Sequence, residues 1–208
     1  MKIIYLFLTL SLLFSLTCIN AIAEVPVTLE PQVDSHILKS DAQIPILAWS
    51  GLPISLSTVE RFKELRDAGF THHLQTYGTI EDMKKVLTAA QQADVKIFLN
   101  VLETTPKKDF FDLMTKYPAL EGYYIADEPN TDSFDKLAET VKSVQAMDSE
   151  HWCYINLFPT YGMPYINARN YQDYVDTFLK KVPVKVLSFD HYPIVPDGAG
   201  GIGIRDDF

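Results

Sequence analysis

The stretch Gly122-Tyr123-Tyr124-Ile125-Ala126-Asp127-Glu128-Pro129 decides how the rest of the chain is read. An apolar and aromatic run closes on two adjacent carboxylates and is then stopped by a proline. A short apolar run bounded by a turn signal reads as a buried strand. Pro129 has no N–H to donate, so it ends the ladder and starts the turn at the acid pair. Side chains alternate along a strand with a period of two. Asp127 and Glu128 are therefore expected on opposite sides, with at most one facing a shared pocket. A carboxylate at the C-terminal end of a strand, in a chain that alternates strands with helices, stands where α/β barrels keep their chemistry.

The alternation extends outward in both directions. Strands are predicted over 44–49, 70–76, 95–101, the acid-pair run, 151–158 and 184–190. Between them lie helical patterns. Ser57-Thr58-Val59-Glu60 is a capping box that opens a helix with Val59, Phe62, Leu65 and Ala68 on one face, closed by Gly69. Thr79 opens a second, with Met83, Val86, Leu87 and Ala90 inward. Phe110, Phe111, Leu113, Met114 and Tyr117 mark a third. Asp132 is expected to cap a fourth that buries Phe134, Leu137, Ala138, Val141 and Val144. Tyr171, Tyr174, Val175, Phe178, Leu179 and Val182 mark a fifth. Continuous apolar strands separated by single helices imply a parallel sheet covered on both faces. The fold class is α/β, a (β/α)8 TIM barrel. A closed barrel typically needs about 250 residues, and about six strands are legible in 208 residues. The barrel is therefore read as truncated after about six βα units, with 198–203 as a Gly-rich loop leading to no helix.

The N-terminus reads as a secretory signal over 1–23. Lys2 starts it, an apolar run follows, and Ala21-Ile22-Ala23 supplies small residues for cleavage. The run is short for a bilayer span, so no transmembrane span is expected after cleavage. Residues 24–43 form a polar lead-in, and 44–208 the partial barrel. The product is expected to be secreted or periplasmic, with Cys18 permitting the rival reading of a lipid anchor. Cys153 then remains alone, a buried thiol rather than a nucleophile. The net charge of -9 argues against a nucleic-acid partner and suits a neutral substrate such as a carbohydrate. Aromatic residues at 12% are a weak hint of sugar stacking. No Gly-x-Gly-x-x-Gly follows the first strand, so no dinucleotide fold is indicated and no cofactor is expected. The sequence sets no oligomeric state.

Polar or aromatic groups end nearly every predicted strand: Trp49, Gln75 with Tyr77, Asn100, Asp127 with Glu128, Asn156, and Asp190 with His191 and Tyr192. Together they suggest one pocket. Glycoside hydrolysis needs a carboxylic acid to protonate the leaving oxygen and a second carboxylate about 5–5.5 Å away in retaining enzymes. Glu128 suits the acid/base role if the apolar strand and nearby acids raise its pKa. Asp190 is a candidate second acid, read first as positioning substrate or orienting Glu128. Trp49, Gln75, Asn100, Asp127, Asn156, Asp190 and Tyr192 are the candidate substrate-binding residues.

Leu47-Ala48-Trp49-Ser50-Gly51, residues 123–129, Tyr154-Ile155-Asn156-Leu157-Phe158-Pro159 and Ser188-Phe189-Asp190-His191-Tyr192-Pro193 together resemble secreted bacterial clan-A (β/α)8 glycoside hydrolases, near the family 42 β-galactosidase-like catalytic domains. The resemblance covers about 44–192. It implies that Glu128, ending the fourth strand, is the acid/base. Asp127 stands where the clan commonly has Asn. The clan's nucleophile, a Glu ending the seventh strand, is expected beyond residue 208. Two other readings stay open. One is a non-catalytic carbohydrate-binding barrel. The other is a metal-dependent barrel hydrolase using His72, His73, Asp190 and His191, although adjacent His72 and His73 should face opposite ways.

Overall fold

The computed structural model describes residues 44–101, 108–196 and 201–206. The signal, the lead-in, the Cys18 anchor and Gly198-Ala199-Gly200 fall outside the described residues. Six strands, β1 (Leu47–Ala48), β2 (His72–Gln75), β3 (Lys96–Asn100), β4 (Leu120–Asp127), β5 (Trp152–Leu157) and β6 (Ser188–Phe189), lie side by side in sequence order. Every pairing is parallel. Helices α1 (Val59–Asp67), α2 (Ile80–Gln92), α3 (Lys108–Met114), α4 (Phe134–Met147) and α5 (Tyr171–Lys181) connect them. This is the (β/α) barrel expected, carried among the described residues through five strand–helix units and a sixth strand, with β1 and β6 at the two edges. The edge strands are the shortest, because each has a partner on one side only. After β6 the chain forms an antiparallel ribbon of β7 (Ile194–Pro196) and β8 (Ile202–Ile204), so part of the predicted Gly-rich loop is paired backbone.

The helix-facing side of the sheet holds the core. Ile97, Leu99, Tyr123, Cys153, Ile155 and Leu157 are buried under Val86 and Leu87 of α2, Phe111 of α3, Val141 and Val144 of α4, and Phe178 of α5. Burying each large apolar side chain contributes about 1.5–3 kcal/mol. Burial pushes the Cys153 thiol up to about 11, which keeps it protonated and inert.

Local signals mostly act as read. Gly69, at φ 97°, ends α1: its N–H reaches Arg66 and that of Phe70 reaches Leu65. Thr79 caps α2 by accepting from the Asp82 N–H at 3.1 Å. Three details differ. The cap of α1 is Thr58, not Ser57, whose buried hydroxyl donates to Pro53 O at 3.0 Å. Asp132 lies in a 3-10 turn before α4 and accepts from Asn167 at 2.8 Å instead of capping the helix. Leu179 is exposed, since the buried face of α5 is carried by Tyr174 and Phe178.

One irregularity matters for the site. Tyr124 pairs with Tyr154, but Ala126 pairs with Ile155 and Asp127 with Asn156. One extra residue in β4 opposes β5 here, a bulge of the kind that re-aims a side chain.

Candidate active site at the ends of β4, β5 and β6

Asn156 is the centre of this region. It is a polar residue only 2% exposed, on β5. Its amide nitrogen donates to Asp127 Oδ1 at 3.1 Å and to Asp190 Oδ1 at 2.9 Å. Its Oδ1 accepts from Ser188 Oγ at 2.8 Å. Ser188 Oγ lies 2.8 Å from the Tyr154 hydroxyl. A serine hydroxyl has one proton, so with Ser188 donating to Asn156, Tyr154 must donate to Ser188. The result is a one-directional chain from Tyr154 through Ser188 and Asn156 to two carboxylates.

Glu128 completes the cluster. Its backbone has φ 43°, in the left-handed region that non-glycine residues rarely adopt. Pro129 follows it and itself favours extended backbone at the preceding residue. The conformation is held from outside. Glu128 N–H donates to Asn156 O at 2.8 Å, and Pro129 O accepts from the Tyr174 hydroxyl at 2.6 Å. This local turn overrides the simple alternation of a strand. Both acids of the pair lie in reach of Asp190, so they do not point to opposite sides as expected from the period of two. The Glu128 carboxyl is held above the usual carboxylate range, first by burial, then by the charges of Asp190 and Asp127 and a hydrogen bond with Asp190.

Aromatic groups flank the acids. The rings of Trp49 and Tyr124 meet edge to face at 5.7 Å, and Trp49 lies 6.1 Å from Tyr154. Trp49 is 41% exposed and Tyr192 60%, so both offer open ring surface. Asp190 raises the Tyr192 phenol through its charge. The Tyr192 backbone N–H donates to the Tyr161 hydroxyl at 3.1 Å. Arg205 lies over the Tyr161 ring at 3.5 Å and donates to Tyr192 O at 3.0 Å, which ties the β7–β8 ribbon to this mouth.

The structure therefore brings together Trp49, Asp127, Glu128, Asn156, Asp190 and Tyr192. Gln75 and Asn100 serve otherwise. Asn100 accepts from the Tyr77 N–H at 2.7 Å and donates to Tyr77 O at 3.1 Å. Gln75 accepts from Thr76 N–H at 2.9 Å and donates to Gly51 O at 3.4 Å. Both amides brace loops. Tyr154 and Ser188 were missed by sequence reasoning. The available signal was period two: Tyr154 stands two before Asn156, and Ser188 two before Asp190.

The four residues considered for a metal are not gathered. His73 is fully buried, with Nε2 accepting from the Leu52 N–H at 2.6 Å and its ring against Phe62. His72 lies on the other side of β2, stacked on Phe98, with Nδ1 2.7 Å from the Thr71 hydroxyl. Asp190 belongs to the Asn156 network. Among the described residues, no group of three or more His, Cys, Asp or Glu side chains is arranged to hold a metal ion. Among them, also, no helix is long and apolar enough to cross a membrane.

No protein-family model and no curated protein matches the chain. Among solved structures, it is similar to a mutant tryptophan synthase alpha-subunit from a hyperthermophile, Pyrococcus furiosus, at 11% identity and a TM-score of 0.43. That likeness covers 73% of this chain and 57% of the other, so the chain spans little more than half of that structure's length.

Proposed function

We propose that the chain carries the acid/base half of a retaining glycoside hydrolase site, with Glu128 as the proton donor and a poly- or oligosaccharide as the substrate. The observation that carries this reading is the placement of a carboxyl with raised pKa at the end of β4, beside exposed aromatic ring surface. A carboxylic acid that stays protonated above the usual range can deliver its proton to a glycosidic oxygen as the C–O bond breaks, the bonding electrons going to that oxygen. Trp49 and Tyr192 would offer apolar ring faces to the sugar. Asp190 lies close enough to Glu128 for its charge to raise that carboxyl, whereas acid/base and nucleophile stand roughly 5–5.5 Å apart in retaining enzymes. Asp190 is thus a neighbour of the proton donor, and the nucleophile would be a further carboxylate across the pocket.

The test is Glu128→Gln in the full-length protein. Turnover of glycans with poorly activated leaving groups should fall about 10²- to 10⁴-fold, and that of activated aryl glycosides much less. Unchanged turnover on the poorly activated substrates would remove the assignment. The second reading, a non-catalytic carbohydrate-binding barrel, draws on the same exposed rings of Trp49 and Tyr192. It predicts sugar binding that Glu128→Gln leaves intact, with no turnover in the parent.

A further inference from the structure

We propose that Asn156 is a positioning residue: its amide, oriented by the hydroxyls of Tyr154 and Ser188, holds Asp127 and Asp190 as hydrogen-bond acceptors and so assigns the proton of the acid cluster to Glu128. The inference rests on the reading of Glu128 as proton donor and adds the device that keeps it one.

Three carboxyl groups crowd the ends of β4 and β6, and like charges that close cannot all ionise together easily. Something must decide which of them carries the proton. An amide NH2 can only donate, and a carboxylate receiving that bond is favoured in its ionised form. Asn156 gives its two amide protons to Asp127 and Asp190. Glu128 receives none of them; its hydrogen bond from this strand is backbone to backbone, N–H to Asn156 O. The amide cannot be exchanged end for end without cost. A flipped Asn156 would turn its carbonyl oxygen toward two carboxylates and its NH2 toward the Ser188 hydroxyl. Ser188 Oγ donates to Asn156 Oδ1 at 2.8 Å and stands 2.8 Å from Tyr154 Oη, so the chain of donors runs one way. Burial at 2% exposure keeps water from substituting for either end.

The ionisable groups around Glu128 come from three directions. Asp127 stands on β4, Asp190 and Tyr192 follow β6, and Tyr174 reaches in from α5. Tyr124 and Tyr154 feel the charges of both aspartates and Tyr171 that of Asp190, and all three phenols are raised, first by burial. As neutral phenols they add no charge to the balance. The amide works together with burial of Glu128 in placing the proton there, by giving both of its N–H groups to the two aspartates.

A carbon-13 NMR titration of the side-chain carboxyls in the full chain reads this without any turnover assay. In the parent, Glu128 should titrate as one dominant step. In Asn156→Leu, which removes the donors at similar volume, the Glu128 step should split in two and lose about half its amplitude to a neighbouring acid, as coupled sites do when neither is favoured. Ser188→Ala should move the profile in the same direction by a smaller amount, and Ser188→Thr should restore it. If Asn156→Leu does not fold, the serine pair carries the test. An unchanged Glu128 profile in Asn156→Leu, or in Ser188→Ala where Asn156→Leu does not fold, overturns the proposal. Such a result leaves the Glu128→Gln turnover test untouched, and unchanged turnover in Glu128→Gln leaves the titration result standing.

Discussion

The ends of β2 and β3 and the ends of β4, β5 and β6 look alike in sequence, each finishing in amides, acids or aromatics, yet they do different work. At the first pair, every strong hydrogen-bonding atom of Asn100 and Gln75 closes on backbone of an adjoining loop. At the second group, side chains bond to one another, and the acids gather around one buried amide. A polar strand end marks a reactive site when its hydrogen-bonding capacity is directed at other side chains. When that capacity is directed at the backbone, the strand end marks a brace.

This division makes unequal demands on activity and stability. The largest expected effect is the 10²- to 10⁴-fold loss of turnover in Glu128→Gln. Stability at neutral pH should not fall with it. Glu128 has a raised folded-state pKa, so in the window above its unfolded value the folded form holds a proton that the unfolded form has lost. Folding stability therefore declines as pH rises through the folded pKa. A glutamine does not ionise, so thermal melts of Glu128→Gln should lack that decline. A melt that dropped sharply at pH 7 would make Glu128 a brace as well and break the comparison.

The next effect lies on the brace side. Burial holds His73 down to about 4, so it folds neutral, with Nε2 accepting from Leu52 N–H. The unfolded chain takes up this proton near pH 6.5. The stability His73 confers is complete above that value. It is lost as pH falls toward 4, on the order of 3 kcal/mol across the window. Urea melts between pH 7 and 4 should show this slope, and His73→Gln, which keeps an acceptor but cannot be protonated, should flatten it.

Asn100→Ala comes third. It strands the Tyr77 N–H and carbonyl and should cost about 1–3 kcal/mol in urea denaturation, with turnover per folded molecule retained. Full stability with lost turnover would move Asn100 to the reactive group. The smallest effect sharpens the site side alone. Glu128→Gly should be about 1–2 kcal/mol more stable than Glu128→Ala, because glycine accepts φ 43° without the Cβ penalty.

These contrasts also mark what the sequence makes legible. Strand order, the caps at Thr79 and Gly69 and the buried helix faces follow from signals within a few residues of each other. Glu128, Asp190 and Asn156 follow from their places at strand ends. The brace role of Asn100 does not, because its partner Tyr77 is 23 residues away and the bond is to backbone. The direction of Glu128 does not either. Period two holds only inside a regular strand, and the left-handed turn is imposed by Asn156 and Tyr174 from other elements. Asp132 carries a cap signal that a distant Asn167 intercepts.

The bulge in β4 has one more consequence. A strand works as a parity counter, sending even and odd positions to opposite faces. Gly122 and Tyr124 sit on the even count opposite Trp152 and Tyr154, while Asp127 sits on the odd count opposite Asn156. The extra residue flips the counter between an aromatic floor and an acidic rim. Without the bulge the odd-numbered Asp127 would share the face of Tyr123 and turn toward the helices, whereas deleting Ile125 outright would close the bulge and keep the acid two places after Tyr124, still opposite Asn156.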